Sequence, residues 1–183
     1  MDNVKEQERA QLHSTIWKIA EDLRGSVDGW DFKSYVLGML FYRYISENIT
    51  NYINQGEWDA GDTDFDYTAI SDEDAEEIRD DMVTTKGFFI LPSQLFSNMQ
   101  KSAQNNGNLN VDLKNIFDAI ERSSKGTEAE KDFAGLFDDL DVTSNKLGST
   151  VIEKNKKLVE LLNNIAALKL GNYQDNTIDA FGD

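Results

Sequence analysis

The sequence contains no cysteine, one proline and one histidine. The lack of cysteine excludes disulfides, thiolate metal sites and a cysteine nucleophile. The single histidine, His13, has no nucleophile or carboxylate arranged beside it, so we interpret it as a surface or partly packed residue of a helix. No apolar run reaches about 18 residues and the N-terminus is polar, so we expect a cytoplasmic protein without a membrane span or a signal peptide.

Several motifs that carry chemistry are missing as well. The sequence has no phosphate-binding loop, no zinc-ligand spacing, no nucleophile elbow and no Gly-x-Gly pair. It also lacks the strand and helix alternation of a nucleotide-binding sheet. We therefore predict that this chain by itself is not an enzyme and holds no catalytic, cofactor-binding or metal-binding residues.

Basic residues are scarce, and the formal net charge is −16. The imbalance is local, because residues 56–81 hold twelve Asp or Glu against one Arg, and residues 128–141 hold six against one Lys. The rest of the chain has equal numbers of acidic and basic residues. A uniformly acidic surface would repel DNA. Two acidic patches on a neutral scaffold leave the other faces available for contact with DNA.

The pattern of apolar residues predicts an all-α, helical bundle-like domain in which residues 1–183 form one unit. Residues 31–54 are apolar or aromatic on nearly every side, so we expect them to be the central, surrounded helix. Before them, residues 4–24 carry one apolar stripe and should pair with the central helix as a hairpin. That stripe comprises Leu12, Ile16, Ile19, Ala20 and Leu23.

Four later segments complete the prediction. Ser71 should cap an acidic helix over 72–84. Residues 87–91 should be extended, because Pro92 restricts them, and Ser93 should cap the helix that follows. Two more helices are expected near 110–122 and 149–169, each with one apolar face. The apolar face of the helix near 149–169 consists of Val151, Leu158, Leu162 and Ile165.

The acidic loop 56–73 has a pattern that is close to a calcium-binding loop. Its oxygen-bearing residues fall at the ligand positions of such a loop, but Tyr67 stands where the sharp turn needs glycine. The missing glycine argues against calcium, although the sequence leaves open whether the loop binds a cation. The residues in question are Asp62, Asp64, Asp66, Thr68 and Glu73.

Three lysines of the last predicted helix are the candidate DNA contacts. Lys154, Lys156 and Lys157 lie in a segment, residues 142–170, with a net charge of +3. Such a run is usually a solvated helix face. Contact with DNA phosphates is the second interpretation, and the sequence does not decide between the two.

Several separated segments resemble one protein family. They are the link Leu23 to Lys33, the run Tyr35 to Ser46, the Gly87 to Pro92 segment and the Leu136 to Gly148 segment, LFDDLDVTSNKLG. In this order they are similar to the N-terminal helical domain of the modification (M, HsdM-type) subunit of type I restriction-modification DNA methyltransferases. The resemblance covers about residues 8–183 and implies that the chain ends at the boundary to a catalytic domain.

The resemblance implies a function and a set of partners. The expected role is assembly and DNA clamping within an adenine-N6 DNA methyltransferase, with a specificity subunit, a second modification subunit, a restriction subunit and double-stranded DNA as partners. S-adenosylmethionine is expected as the cofactor of the full-length parent only. The glycine loop that binds this cofactor and the Asn/Asp-Pro-Pro-aromatic turn that holds adenine are both absent from this chain.

Two other classes of protein remain open. An acidic protein that mimics DNA would explain the net charge, but mimicry needs carboxylates spread over one long face, and here they lie in two stretches. A helical adaptor with no role on DNA is the third hypothesis. Competition with duplex DNA tests the DNA mimic, and charge reversal of the three lysines tests the helical adaptor.

Overall fold

The computed structural model describes residues 32–134, 137 and 140–168. Over these residues the protein is all-α, with no strand, which confirms the predicted fold class. The predicted helix 4–24, its hairpin with the central helix, His13 and the tail 169–183 lie outside the described residues. The α-helices are α1 (Phe32–Asp59), α2 (Asp72–Glu76), α3 (Arg79–Lys86), α4 (Phe96–Ser102), α5 (Leu109–Ser123), α6 (Glu130–Phe133) and α7 (Val151–Ala166).

Helix α1 is the central helix that the apolar run predicts, and it continues to Asp59, five residues past the expected end. Its side chains are buried around most of the circumference, including Val36, Met39, Tyr42, Ile45 and Ile49 at 0% exposure. Helices α4 and α7 pack against it. A helix that is apolar on all sides has to be enclosed in this way.

The acidic segment forms two short helices instead of the single one predicted over 72–84. Ser71 caps α2 as expected, because its Oγ accepts a hydrogen bond from the Asp74 N–H at 3.1 Å. The helix then breaks at Ile78, whose φ of −103° and ψ of 4° are not helical. The break half-buries Ile78 against the core while Ala75 and Met82 remain buried.

Leu91, directly before the only proline, is extended as predicted and leads into a 3₁₀ turn at Pro92–Gln94, whereas Gly87 at the other end of the predicted segment is left-handed and ends α3. The predicted capping role of Ser93 is wrong, since α4 begins at Phe96 with Leu95 at its N-cap. The Ser93 N–H instead donates to Asp72 Oδ1 at 2.9 Å. Ser93 therefore joins this turn to the first turn of α2.

Helix α5 has the predicted buried face, comprising Leu113, Ile116, Phe117 and Ile120. Helix α7 departs from its prediction at one position, because Val151 is 51% exposed and Asn155 takes its place on the buried face. The other three predicted residues of α7 are all 0% exposed, namely Leu158, Leu162 and Ile165.

Three apolar side chains, Phe133, Phe137 and Leu140, fasten the segment before α7 to the central helix. Phe41 contacts Phe133 and Phe137 edge-on, with ring centroids 5.7 and 6.0 Å apart. Leu140 lies over Gly38 so closely that a Cβ on this glycine would be 2.8 Å from Leu140 Cδ2. The Tyr35 hydroxyl adds a hydrogen bond to the Asp141 carbonyl at 2.8 Å.

No helix in the described ranges combines the length and the apolar character that crossing a membrane requires. Helix α1 has the length, but its last third carries Gln55, Glu57 and Asp59, all exposed.

Candidate functional site

The structure divides the three candidate lysines between two sides of α7. Lys156 is exposed, whereas Lys154 and Lys157 are half-buried. At about 100° of rotation per residue, Lys154 and Lys157 lie on one flank of the buried face and Lys156 lies opposite that face. The structure thus brings together only Lys154 and Lys157, beside the buried face, and Lys156 stands apart from them on the solvent side of the helix.

The first turn of α7 is held rigidly. Thr150 Oγ1 accepts a hydrogen bond from the Glu153 N–H at 3.2 Å, and Glu153 Oε2 accepts from the Ser149 N–H at 2.8 Å. Thr150 thus caps α7, and Glu153 bonds to the residue before the cap. The Ser149 N–H bond is the main cause that lowers the pKa of Glu153, with the Ser149 hydroxyl second. The carboxylate therefore stays ionised at the positive end of the helix, just before the lysines.

Asn155, between the candidate lysines, connects α7 to the start of α5. Its Oδ1 accepts from the Asn110 N–H at 3.0 Å, and its Nδ2 donates to the Gly107 carbonyl at 2.8 Å. The side chain is 9% exposed, so these bonds satisfy a buried amide. Asn155 lies three residues before Leu158, and this helical spacing predicts that it shares the buried face. An apolar pattern alone misses it because its side chain is polar.

Arg43 of the central helix secures the other end of α7. Its Nη1 donates to the carbonyls of Ile165 at 2.6 Å and Leu168 at 2.7 Å, and its Nε donates to Glu47 Oε1 at 2.9 Å. Carbonyls at a helix C-terminus lack partners within the helix, and a cation is favourable there. Arg43 thus fixes α7 to α1, and no pattern in the sequence predicts this contact.

Three residues of the calcium-like pattern, Asp66, Tyr67 and Thr68, have structural roles. Asp66 Oδ1 accepts hydrogen bonds from the Thr68 N–H at 3.0 Å and the Thr68 hydroxyl at 2.8 Å. Tyr67 is fully buried, its N–H donates to Asn54 Oδ1 at 2.8 Å, and its hydroxyl donates to the Ile90 carbonyl at 2.6 Å. Burial raises the pKa of this hydroxyl, and the charge of Asp72 adds to the effect.

Residues 56–81 form a strongly acidic surface. Eleven of their twelve carboxylates are exposed, and the twelfth, Asp72, is half-buried. Within the described residues no group of three or more acidic, His or Cys side chains is arranged to hold a metal ion. Arg79 bonds Glu76 with N–O distances of 2.6 and 2.7 Å, and this bond lowers the pKa of Glu76.

Comparison with protein families identifies the architecture to which these elements belong. A model of the HsdM N-terminal domain matches residues 12–165 of the sequence. The chain belongs to the HsdM N-terminal domain family. The resemblance expected from the sequence is therefore confirmed, and the match includes all of the described helices except the last residue of α7.

One relative of this HsdM N-terminal domain is a methylase subunit. The methylase subunit of the type I restriction enzyme MpnII from Mycoplasma pneumoniae is 44% identical over 190 residues, which take in 100% of this chain and 35% of the relative. The chain thus spans about a third of the length of that methylase subunit.

A solved structure has the same HsdM N-terminal fold. The methyltransferase subunit of the type I restriction-modification system from Streptococcus thermophilus matches with a TM-score of 0.65 and 24% identity. The match covers 94% of this chain and 38% of that chain. At this identity the likeness establishes the fold alone.

Two of the segments that resemble the HsdM family meet in the core. The Tyr35 to Ser46 run supplies Phe41 and Gly38, and the 133–148 region supplies Phe137 and Leu140, which pack on them. Phe137 also stacks on Phe117 with ring centroids 4.4 Å apart. The described residues of these two segments therefore pack against each other and stabilise the fold.

Proposed function

We propose that this HsdM N-terminal domain serves as the assembly and DNA-clamping part of a type I adenine-N6 DNA methyltransferase subunit. The match to the HsdM N-terminal domain over residues 12–165 carries the proposal. In the assembly the domain associates with a specificity subunit, a second modification subunit and a restriction subunit, and it helps to enclose double-stranded DNA.

The catalytic part of the proposal concerns the full-length parent. S-adenosylmethionine binds there, and this chain contributes no cofactor contact and no catalytic residue. Calorimetry on the 183-residue chain should accordingly detect no binding of S-adenosylmethionine. A parent protein that includes the catalytic domain should bind the cofactor and methylate DNA. Tight binding by the short chain would contradict this division of labour.

The outer surface of α7 is the proposed DNA-facing part. Lys156 projects away from the core, Lys154 and Lys157 lie half-buried on one flank of the buried face, and both ends of the helix are held by hydrogen bonds. The acidic residues 56–81 belong to other elements. Phosphate contacts depend on positive charge that is local and held in place. The lysines of α7 meet this condition, which supports a role for α7 despite the net charge of −16.

Charge reversal of the lysine face tests this role in the full-length methyltransferase complex. The triple variant Lys154→Glu, Lys156→Glu, Lys157→Glu should bind duplex DNA at least about tenfold more weakly at moderate salt. The slope of log K against log salt should also fall by about 0.9 for each DNA phosphate that the variant no longer neutralises. A fluorescence titration at four salt concentrations measures both quantities.

The matched control reverses three exposed lysines outside α7, Lys101, Lys125 and Lys131. Both triple variants change the net charge equally, so an effect of total charge alone would weaken DNA binding in both to the same extent. That outcome, or unchanged affinity of the α7 variant, would make Lys154, Lys156 and Lys157 a solvated face and remove the DNA contact from the proposal.

The second candidate function is mimicry of DNA, and the eleven exposed carboxylates of residues 56–81 are the observation in its favour. A mimic would compete with duplex DNA for a DNA-binding partner. If the chain fails to displace labelled DNA from the restriction-modification complex, this alternative is rejected.

A further inference from the structure

A groove of about 480 Å³ opens between the end of α1 and helix α3. Its floor is apolar, because Ile53 and Met82 are each only 6% exposed and Ile78 packs against the same core. Tyr52 lines the groove and is 39% exposed. A Cβ placed on Gly56 would meet nothing within 4 Å, so this part of the groove is unobstructed. The volume is in the range of sites that bind ligands or side chains, about 300–1,000 Å³.

Three carboxylates, Glu57, Asp59 and Asp81, line the same groove. All three are exposed. Asp59 accepts a hydrogen bond from Gln55 Nε2 at 2.8 Å, and none of the three forms a salt bridge with another described residue. The groove therefore combines an apolar floor with a negatively charged edge.

The basic side chains of α3 do not neutralise this edge. Arg79 is bonded to Glu76, and its guanidinium carbon lies 4.7 Å from the centroid of the Phe89 ring. Lys86 is 5% exposed, and its ammonium lies 5.0 Å from the centroid of the Tyr52 ring. Arg79 is therefore paired away from the groove, and Lys86 lies over Tyr52 at one edge of it, whereas Glu57, Asp59 and Asp81 have no ion-pair partner among the described residues and can attract further positive charge.

We propose that this groove is a docking site for a basic amphipathic helix of a partner protein. Apolar side chains of that helix cover Ile53, Ile78 and Met82, and the neighbouring Lys or Arg residues pair with Glu57, Asp59 and Asp81. Charge complementarity favours a basic protein segment and opposes nucleic acid at this surface. The inference does not depend on the lysine face of α7.

A synthetic peptide can probe the groove on the 183-residue chain. The probe is a fluorescently labelled 18-residue helix with Leu at the i, i+3, i+4 and i+7 positions and Lys on the opposite side. Binding is measured by anisotropy at low salt. We expect the double variant Glu57→Gln, Asp81→Asn to bind it at least about tenfold more weakly, as loss of paired charges at an interface does.

A second variant and a matched control separate the groove from the general negative charge. Gly56→Leu keeps every charge, favours the helix and fills the open part of the groove, so it should also weaken binding by about tenfold. The control Asp62→Asn, Asp64→Asn removes two exposed carboxylates that do not line the groove, and it should change affinity less than about twofold.

Any of the following outcomes would overturn the docking site. The first is an equal loss of affinity in the groove variant and in the matched control, which would indicate attraction to bulk charge only. The second is unchanged binding to Gly56→Leu. The third is the absence of binding to the unmodified chain, or equal binding of a peptide in which Ser replaces every Leu.

Discussion

Three buried polar side chains connect parts of the chain that are distant in sequence. Arg43 is 8% exposed, Asn54 8% and Asn155 9%, and each bonds to backbone groups of another element. A buried polar group without a partner costs about 1–3 kcal/mol, so these side chains are stabilising only because their partners are in place. At the scale of the residue, single polar side chains such as Arg43 and Asn155 therefore fix the two ends of α7 to neighbouring parts of the chain.

Replacing Arg43 by Met should lower the free energy of unfolding by about 2–3 kcal/mol, because the carbonyls of Ile165 and Leu168 lose their common donor. Urea denaturation of the 183-residue chain measures the change. Lys114→Met is the matched control, since it also breaks an i,i+4 ion pair, that with Asp118, but an exposed one. It should cost less than about 0.5 kcal/mol. Equal costs would mean that the Arg43 contacts add no stability.

At the scale of the element, the two glycines of the central helix differ in their surroundings, because Gly38 packs closely against Leu140 and Gly56 does not pack against anything. Gly38 lies under Leu140, with Leu140 Cδ2, Cβ and Cγ 2.8, 3.0 and 3.2 Å from the position of an added Cβ. Gly56 has open space around it. The same substitution in the same helix should therefore have opposite effects at these two positions.

Gly56→Ala should raise the free energy of unfolding by about 0.5 kcal/mol, since alanine is the better helix former. Gly38→Ala should lower it by about 1 kcal/mol, because the gain in helix propensity is smaller than the overpacking against Leu140. Urea denaturation measures both changes.

A double-mutant cycle identifies the cause of the Gly38 effect. In a Leu140→Ala background the methyl group has room, so Gly38→Ala should no longer be destabilising. If Gly38→Ala remains destabilising in that background, the close approach of Leu140 is not the reason.

At the scale of the whole molecule, charge is separated along the chain. Residues 56–81 carry a large excess of negative charge with eleven exposed carboxylates, whereas the lysines of α7 lie in a segment with positive net charge. Concentrated charge of one sign destabilises a folded chain through repulsion, and salt screens that repulsion. The acidic surface therefore has a cost in stability that the proposed basic partner would relieve.

Raising KCl from about 10 to 100 mM shortens the Debye length from about 30 to 10 Å and should raise the Tm of the chain by a few degrees. Thermal unfolding followed by circular dichroism measures this. The variant Asp62→Asn, Asp64→Asn should start from a higher Tm at low salt and rise less. A Tm that falls with salt, or a variant that behaves like the unmodified chain, would contradict repulsion as the cause.

The sequence by itself determined the helical class, the central helix, the cap at Ser71 and the apolar faces of α5 and α7. These follow from the period of the apolar residues and from local capping chemistry, both of which act within a few residues of chain. The resemblance of the separated segments also determined the family, and the candidate lysines were found from charge alone.

Only the tertiary structure decided which polar residues are buried, where α2 ends, and which lysines share a side of α7. Asn155 is buried where Val151 was expected because its amide accepts the Asn110 N–H of α5, and Ser93 bonds to Asp72 and does not cap α4, which begins at Phe96. The groove beside Tyr52 likewise exists because two distant helices meet there. Such features depend on contacts between residues far apart in sequence, and no local pattern encodes which distant partner will be present.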